Sequence, residues 1–197
     1  MMPNGPKAVS VLASGESDGW QPLPGWYPEM TPDGETRLTV SVAVDRIVDV
    51  HRALIEAMEA PLSLLYRQRI DRAAVEQGQA PPQGAPPRDF VAVSLPHGRL
   101  VAALEDAADL IYGDARCEVW VRGARHDQIV LDEDGVIYAY PDDPAFREAL
   151  IAMDIEEGDV DTMRDRDYVK HWFRPECDEV EGRLVTQLGL TEVPHRR

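Results

Sequence analysis

A chain of 197 residues, 44% of them hydrophobic, is long enough for one substantial domain with a packed core of its own. Its net charge of −16, from 36 acids against 20 Lys and Arg, works against a phosphate-neutralising surface, so no nucleic acid is expected as partner. No apolar run approaches the roughly 20 residues that span a bilayer, and the early apolar stretch 8–13 is shorter than a secretory leader needs, so the expectation is no membrane and a cytoplasmic location.

The N-terminal 36 residues are rich in Pro and Gly, with turn signals at 4–6, 22–25 and 31–34. Trp20, Trp26 and Tyr27 are more aromatic surface than a disordered arm usually carries, so 1–36 is expected to dock as an irregular strap along the body. From residue 37 to 160 an α+β core is expected. Leu38, Val40, Val42 and Val44 alternate with polar or small residues, a period-two strand. Asp45 is a plausible N-cap for an amphipathic helix carrying Ile47, Val50, Leu54 and Met58 on one stripe. After Pro61, residues 62–70 read as a second strand.

Four prolines and two glycines in 73–87 predict a mobile loop over 73–88. A strand at 90–95, a helix stopping at Gly113 and a strand at 117–123 then repeat the strand–helix–strand order. Two such units predict a ferredoxin-like βαββαβ core, with both helices on one face of the sheet and the other face open. A hairpin follows, 128–131 and 136–140 around Asp134-Gly135, then a helix at 144–153 entered through Asp142 or Asp143 with Pro144 at its first turn. Residues 161–197 are expected to add helices around 162–172 and 177–188, with a fraying end.

The charge is concentrated. Residues 127–160 hold eleven acids and one Arg. Part of this is turn and cap chemistry, but a rigid hairpin tip of Asp132, Glu133 and Asp134, with Asp142 and Asp143 at its base and Tyr138 and Tyr140 as aromatic anchors, would make a preorganised face for a basic protein. This points to a non-enzymatic, acidic interaction module, in its most concrete form an inhibitor or immunity-type protein that neutralises a basic bacterial toxin or effector. The alternative is a small-molecule-binding or enzymatic domain on the open sheet face, where Arg67, Arg69, Trp120 and Arg122 could stack a planar or anionic ligand.

Other chemistries lack their residues. The acidic turn has Val130 and Pro141 where a calcium loop needs acids, and the five His are scattered, so neither a metal nor another cofactor is expected. There is no Gly-x-Ser-x-Gly elbow and no phosphate-binding Gly motif. Cys117 falls on a core-facing strand position, and Cys177 lies between Glu176 and Asp178, which disfavour a thiolate. No catalytic residue emerges from the pattern, and the oligomeric state is not encoded in it.

Overall fold

The computed structural model describes residues 3–70, 87–158 and 160–194. The chain is mixed α+β. Its centre is an eight-stranded, wholly antiparallel sheet whose strands, numbered in chain order, are β2 (Gly25–Met30), β3 (Thr36–Ser41), β4 (Leu62–Gln68), β5 (Arg88–Leu95), β6 (Cys117–Arg122), β7 (Gln128–Leu131), β8 (Ile137–Tyr140) and β10 (Thr191–Val193). They lie in the order β10-β5-β4-β6-β7-β8-β3-β2. A separate two-stranded ribbon pairs β1 (Ala8–Ser10) with β9 (Tyr168–Lys170).

Among the described residues there are five helices: α1 (Val44–Glu56), α2 (His97–Asp106), α3 (Ala108–Gly113), α4 (Pro144–Ala152) and α5 (Cys177–Leu188). Each contributes buried side chains to one core, among them Ile47, Leu104, Leu110, Phe146 and Leu184. That core also takes Leu38, Val40, Leu64, Tyr66, Val119, Val121, Ile129 and Leu131 from the strands. Period-two alternation puts these residues on one face of the sheet, so the helices cover that face.

The expected ferredoxin-like order does not occur. In that arrangement the first strand of one unit lies beside strands of the other. Here β7 and β8 stand between β3 and β6: β7 pairs with β6, and β8 pairs with β3. Asp132 and Gly135 close this hairpin so tightly that both of its strands enter the sheet as neighbours. The second unit does keep a split βαβ form, with β4 lying between β5 and β6.

Three further expectations change. The helix predicted around 162–172 is a 3₁₀ turn at Met163–Asp165 followed by β9, because Thr162 and Asp165 close a capping box and the extended Tyr168–Lys170 then pairs with the N-terminal strand. Asp45 lies in the first turn of α1 rather than at its cap, which is Ala43. The predicted helix ending at Gly113 is broken at Ala107 into α2 and α3. The loop expected at 73–88 lies almost wholly outside the described residues.

The N-terminal region crosses the body in two parts. Residues 25–30 are β2, the edge strand of the main sheet, with Trp26 buried against the core and its Nε1 donating to the Ile155 carbonyl. Trp26 turns its backbone N–H outward to Glu156, so Pro28, two residues on, faces outward with no N–H to offer. That edge is blunted against further strands. Upstream, Lys7 is 1% exposed, and its Nζ donates to the carbonyls of Cys117 (2.7 Å) and Asp132 (3.0 Å).

A second buried cation fixes the C-terminal helix. Arg116, fully buried, pairs with Asp114 at 2.7 Å and with Asp178 and Glu181 of α5 at 3.0 and 3.2 Å. Gly189, at φ +67°, ends α5 in a left-handed cap, and Leu190 N–H returns to the Val185 carbonyl.

Candidate interaction face

On the face of the sheet away from the helices, strand register lines up one residue from every strand. The row runs Thr191, Val91, Leu65, Trp120, Val130, Tyr138, Thr39, Tyr27, each opposite the next. Seven inter-strand steps make it about 34 Å long. Aromatic and β-branched neighbours across strands are the pairs that stabilise a sheet, and this row concentrates them.

The two ends of the row differ. At the β8–β3 end it is closed. Arg37 lies over the Tyr138 ring at 4.0 Å and donates to Tyr140 Oη at 2.6 Å, while Glu29 holds the same guanidinium at 2.7 Å. Arg164 covers Tyr138 from another side at 5.3 Å. Val130 and Tyr138 are buried beneath these groups with Trp120 and Tyr140 packed against them, a small second core. At the β6–β10 end the row is open. Trp120, Leu65 and Val91 are half-buried, Val93 beside them on β5 is 65% exposed, and Val193 on β10 is exposed.

Charged groups flank this open end, and they are already paired. Arg67 stacks on Trp120 at 5.1 Å and forks onto Asp89 at 2.8 and 2.9 Å. Trp120 Nε1 donates to Glu118 Oε2 at 3.1 Å, and Arg69 donates to Glu118 Oε1 at 2.7 Å. Arg88 pairs with Glu192 at 2.9 Å. The structure therefore brings Arg67, Arg69 and Trp120 together, whereas Arg122 lies a row away and meets His126 at 3.0 Å.

The acidic hairpin tip is not an exposed patch. Asp132 and Asp134 side chains are 3% and 5% exposed. Asp132 Oδ1 accepts from the backbone N–H groups of Asp134 and Val136, both at 2.9 Å, and its Oδ2 faces Arg164 at 2.8 Å. Lys170 pairs with Asp134 at 2.7 Å and with Glu133 at 3.4 Å. Asp142 is held by Arg147 at 2.6 Å, and Asp143 caps α4 by accepting from Ala145 N–H at 2.8 Å. Tyr138 is buried and Tyr140 half-buried. Among the described residues, the exposed acids of the 127–160 segment and its border are instead Glu148, Asp154, Glu156, Glu157 and Asp161, on α4 and in the loop beyond it.

Burial governs how these acids ionise. It pushes the Asp132 carboxyl up to about 6, against the opposing pull of Arg164. Burial and the neighbouring Glu133 raise Glu118, while Glu118 and Lys170 nearby outweigh burial and lower Glu133. Burial also drives Cys117 to about 11 and Cys177 to about 12, so neither thiol is poised as a nucleophile. Among the described residues no group of three or more His, Cys, Asp or Glu is placed to hold a metal ion, and no helix is long and apolar enough to cross a membrane.

The open end of the row escaped the sequence reading in part. Alternation in 90–95 sets Val91 and Val93 on a common face, but nothing local says that Leu65 and Trp120 lie beside them. The cations Arg164 and Lys170 were equally invisible as partners of the hairpin, thirty or more residues away in the chain. No family model matches this sequence, and no curated protein or solved structure matches it.

Proposed function

We propose that the chain is a non-enzymatic protein-interaction module whose docking surface is the face of the sheet away from the described helices between β6 and β10, centred on Trp120. One observation carries this reading: the open end of the cross-strand row, where Trp120, Leu65, Val91 and Val93 lie side by side. An apolar centre within a polar rim is the usual anatomy of an interface, and Trp flanked by Arg is a common anchor. Because the rim charges are paired internally, a partner need bring no matching charge to the contact itself.

The partner is a basic protein that presents an apolar patch. The net charge of −16 steers such a protein at long range, while the apolar strip supplies the short-range contact. A standard interface of about 800 Å² per side spans roughly the length of this row.

The test uses the protein captured from native host extract, purified and titrated against wild type, Val93→Arg and Trp120→Ala. Both substitutions are expected to weaken binding at least about tenfold, Val93→Arg with little change in Tm and Trp120→Ala with some loss of stability because Trp120 packs on the second core. Charge reversal at Glu156 is expected to alter the salt dependence and leave the apolar anchor in place. Equal binding by all variants, or hydrogen-exchange protection confined to the helices, would refute this surface.

A further inference from the structure

A cleft of about 190 Å³ opens where the N-terminal strap crosses the body. Its floor and walls are Val42, Ile47, Val136 and Met163, its roof is Trp20, and Asp134 lies at its base. It is separate from the Trp120 face.

The roof is braced rather than collapsed onto the floor. Asp18 accepts from Ser10 Oγ at 2.7 Å and from Trp20 N–H at 2.9 Å, and it pairs with Arg166 at 3.1 Å. The Arg166 guanidinium stacks on Trp20 at 4.7 Å. On the other side, β1 is fastened to β9. Apolar walls left apart lose dispersion contacts, so packing alone would draw the strap down. Its polar bracing holds the space open.

The base of the cleft defines the ligand's polarity. Asp134 is more than nine-tenths buried, and its charge is met by Lys170 at 2.7 Å and Arg164 at 3.4 Å. The Lys7 ammonium that also lines the cleft is turned to the Cys117 and Asp132 carbonyls, and an anion beside Asp134 would meet its carboxylate, so the site disfavours a charged molecule. Lys170 takes one lone pair of Asp134 Oδ1, and the second can accept from a ligand hydroxyl. Size follows from the volume, since an apolar cavity of about 150 Å³ suffices for benzene.

We propose that this cleft binds a small uncharged molecule of one ring with a single hydroxyl, its ring between Trp20 and Ile47 and its hydroxyl donating to Asp134. The probes are p-cresol and the anion benzoate, followed by methyl NMR of Ile47 and Met163 in the full chain. p-Cresol is expected to give saturable shifts with a dissociation constant on the order of 0.1–1 mM, and benzoate to bind at least about tenfold more weakly. Ser17→Phe, at the exposed mouth, is expected to abolish the p-cresol shifts, and Trp20→Ala to weaken them about tenfold if the filled variant does not fold.

Trp120→Ala is expected to leave the p-cresol response intact, which separates this site from the docking face. Shifts that do not saturate, or that persist unchanged in both cleft variants, or equal binding of benzoate, overturn the proposal. So does the absence of any p-cresol response together with loss of the captured protein on Ser17→Phe, which assigns the cleft to a partner's side chain.

Discussion

Replacing Asp132 by Asn separates the two things its carboxylate does. Oδ1 serves the hairpin by accepting two backbone N–H groups, and an amide oxygen can continue that work. The negative charge, by contrast, is buried, and burial raises the folded-state pKa from 3.8 to about 6. Between these values the native state retains a proton that the unfolded chain has released. The contribution of Asp132 to stability is therefore full below about pH 3.8 and is lost as pH rises to about 6, a fall of about 3 kcal/mol. In the Asn variant that slope vanishes. The attraction of Arg164 at 2.8 Å is already contained in that raised value, and Arg164 keeps Asp134 nearby, so its loss subtracts nothing further.

Asp132→Asn is accordingly expected to be close to wild type at pH 4, where the native carboxyl is protonated, and more stable by about 3 kcal/mol at pH 7. Asp132→Ala lacks the acceptor as well, and it should lie about 2–4 kcal/mol below the Asn variant at every pH, with two buried N–H groups unsatisfied. Urea melts followed by tryptophan fluorescence from pH 4 to 7.5 read both differences. A difference between wild type and Asp132→Asn that stays flat across this range would refute the account, because the buried charge would then not be what Asn relieves.

Three other outcomes follow from the same structure. Glu118→Gln removes the carboxyl whose raised pKa makes wild-type stability decline as pH climbs from the ordinary Glu range toward neutrality, so its urea midpoint should vary less over that interval; an unchanged profile would count against the raised Glu118 pKa. Arg116→Met leaves Asp114 buried without its cation and frees the start of α5, which should cost about 3–5 kcal/mol, or on the order of 10 °C in Tm by calorimetry. Cys117 and Cys177 should resist a thiol reagent at pH 8 in the native state and react on unfolding in urea; prompt native labelling of either would show that its burial is not maintained.

What was legible in the sequence was local. Alternation announced β3, β4 and β6, and Asp134-Gly135 announced the hairpin, since a strand's face and a turn's φ depend on residues within a few positions. Asp143 and Pro144 marked the start of α4 for the same reason. The strand order was not legible, because whether β7 pairs with β6 or leaves room for β3 depends on backbone edges far apart in the chain.

Charge followed the same division. The acids of 132–134 read as a solvent-facing patch because the sequence shows how many there are but not which cations reach them. Only the tertiary structure brings Arg164 and Lys170 from the far end of the chain, and Lys7 from its beginning, onto that hairpin. It likewise decided that Trp120 stands half-buried beside Leu65 and Val91, while Tyr138 two strands away lies under two guanidinium groups. Residue type and spacing determine which face a side chain takes; long-range register alone determines its neighbours, and therefore whether it meets water.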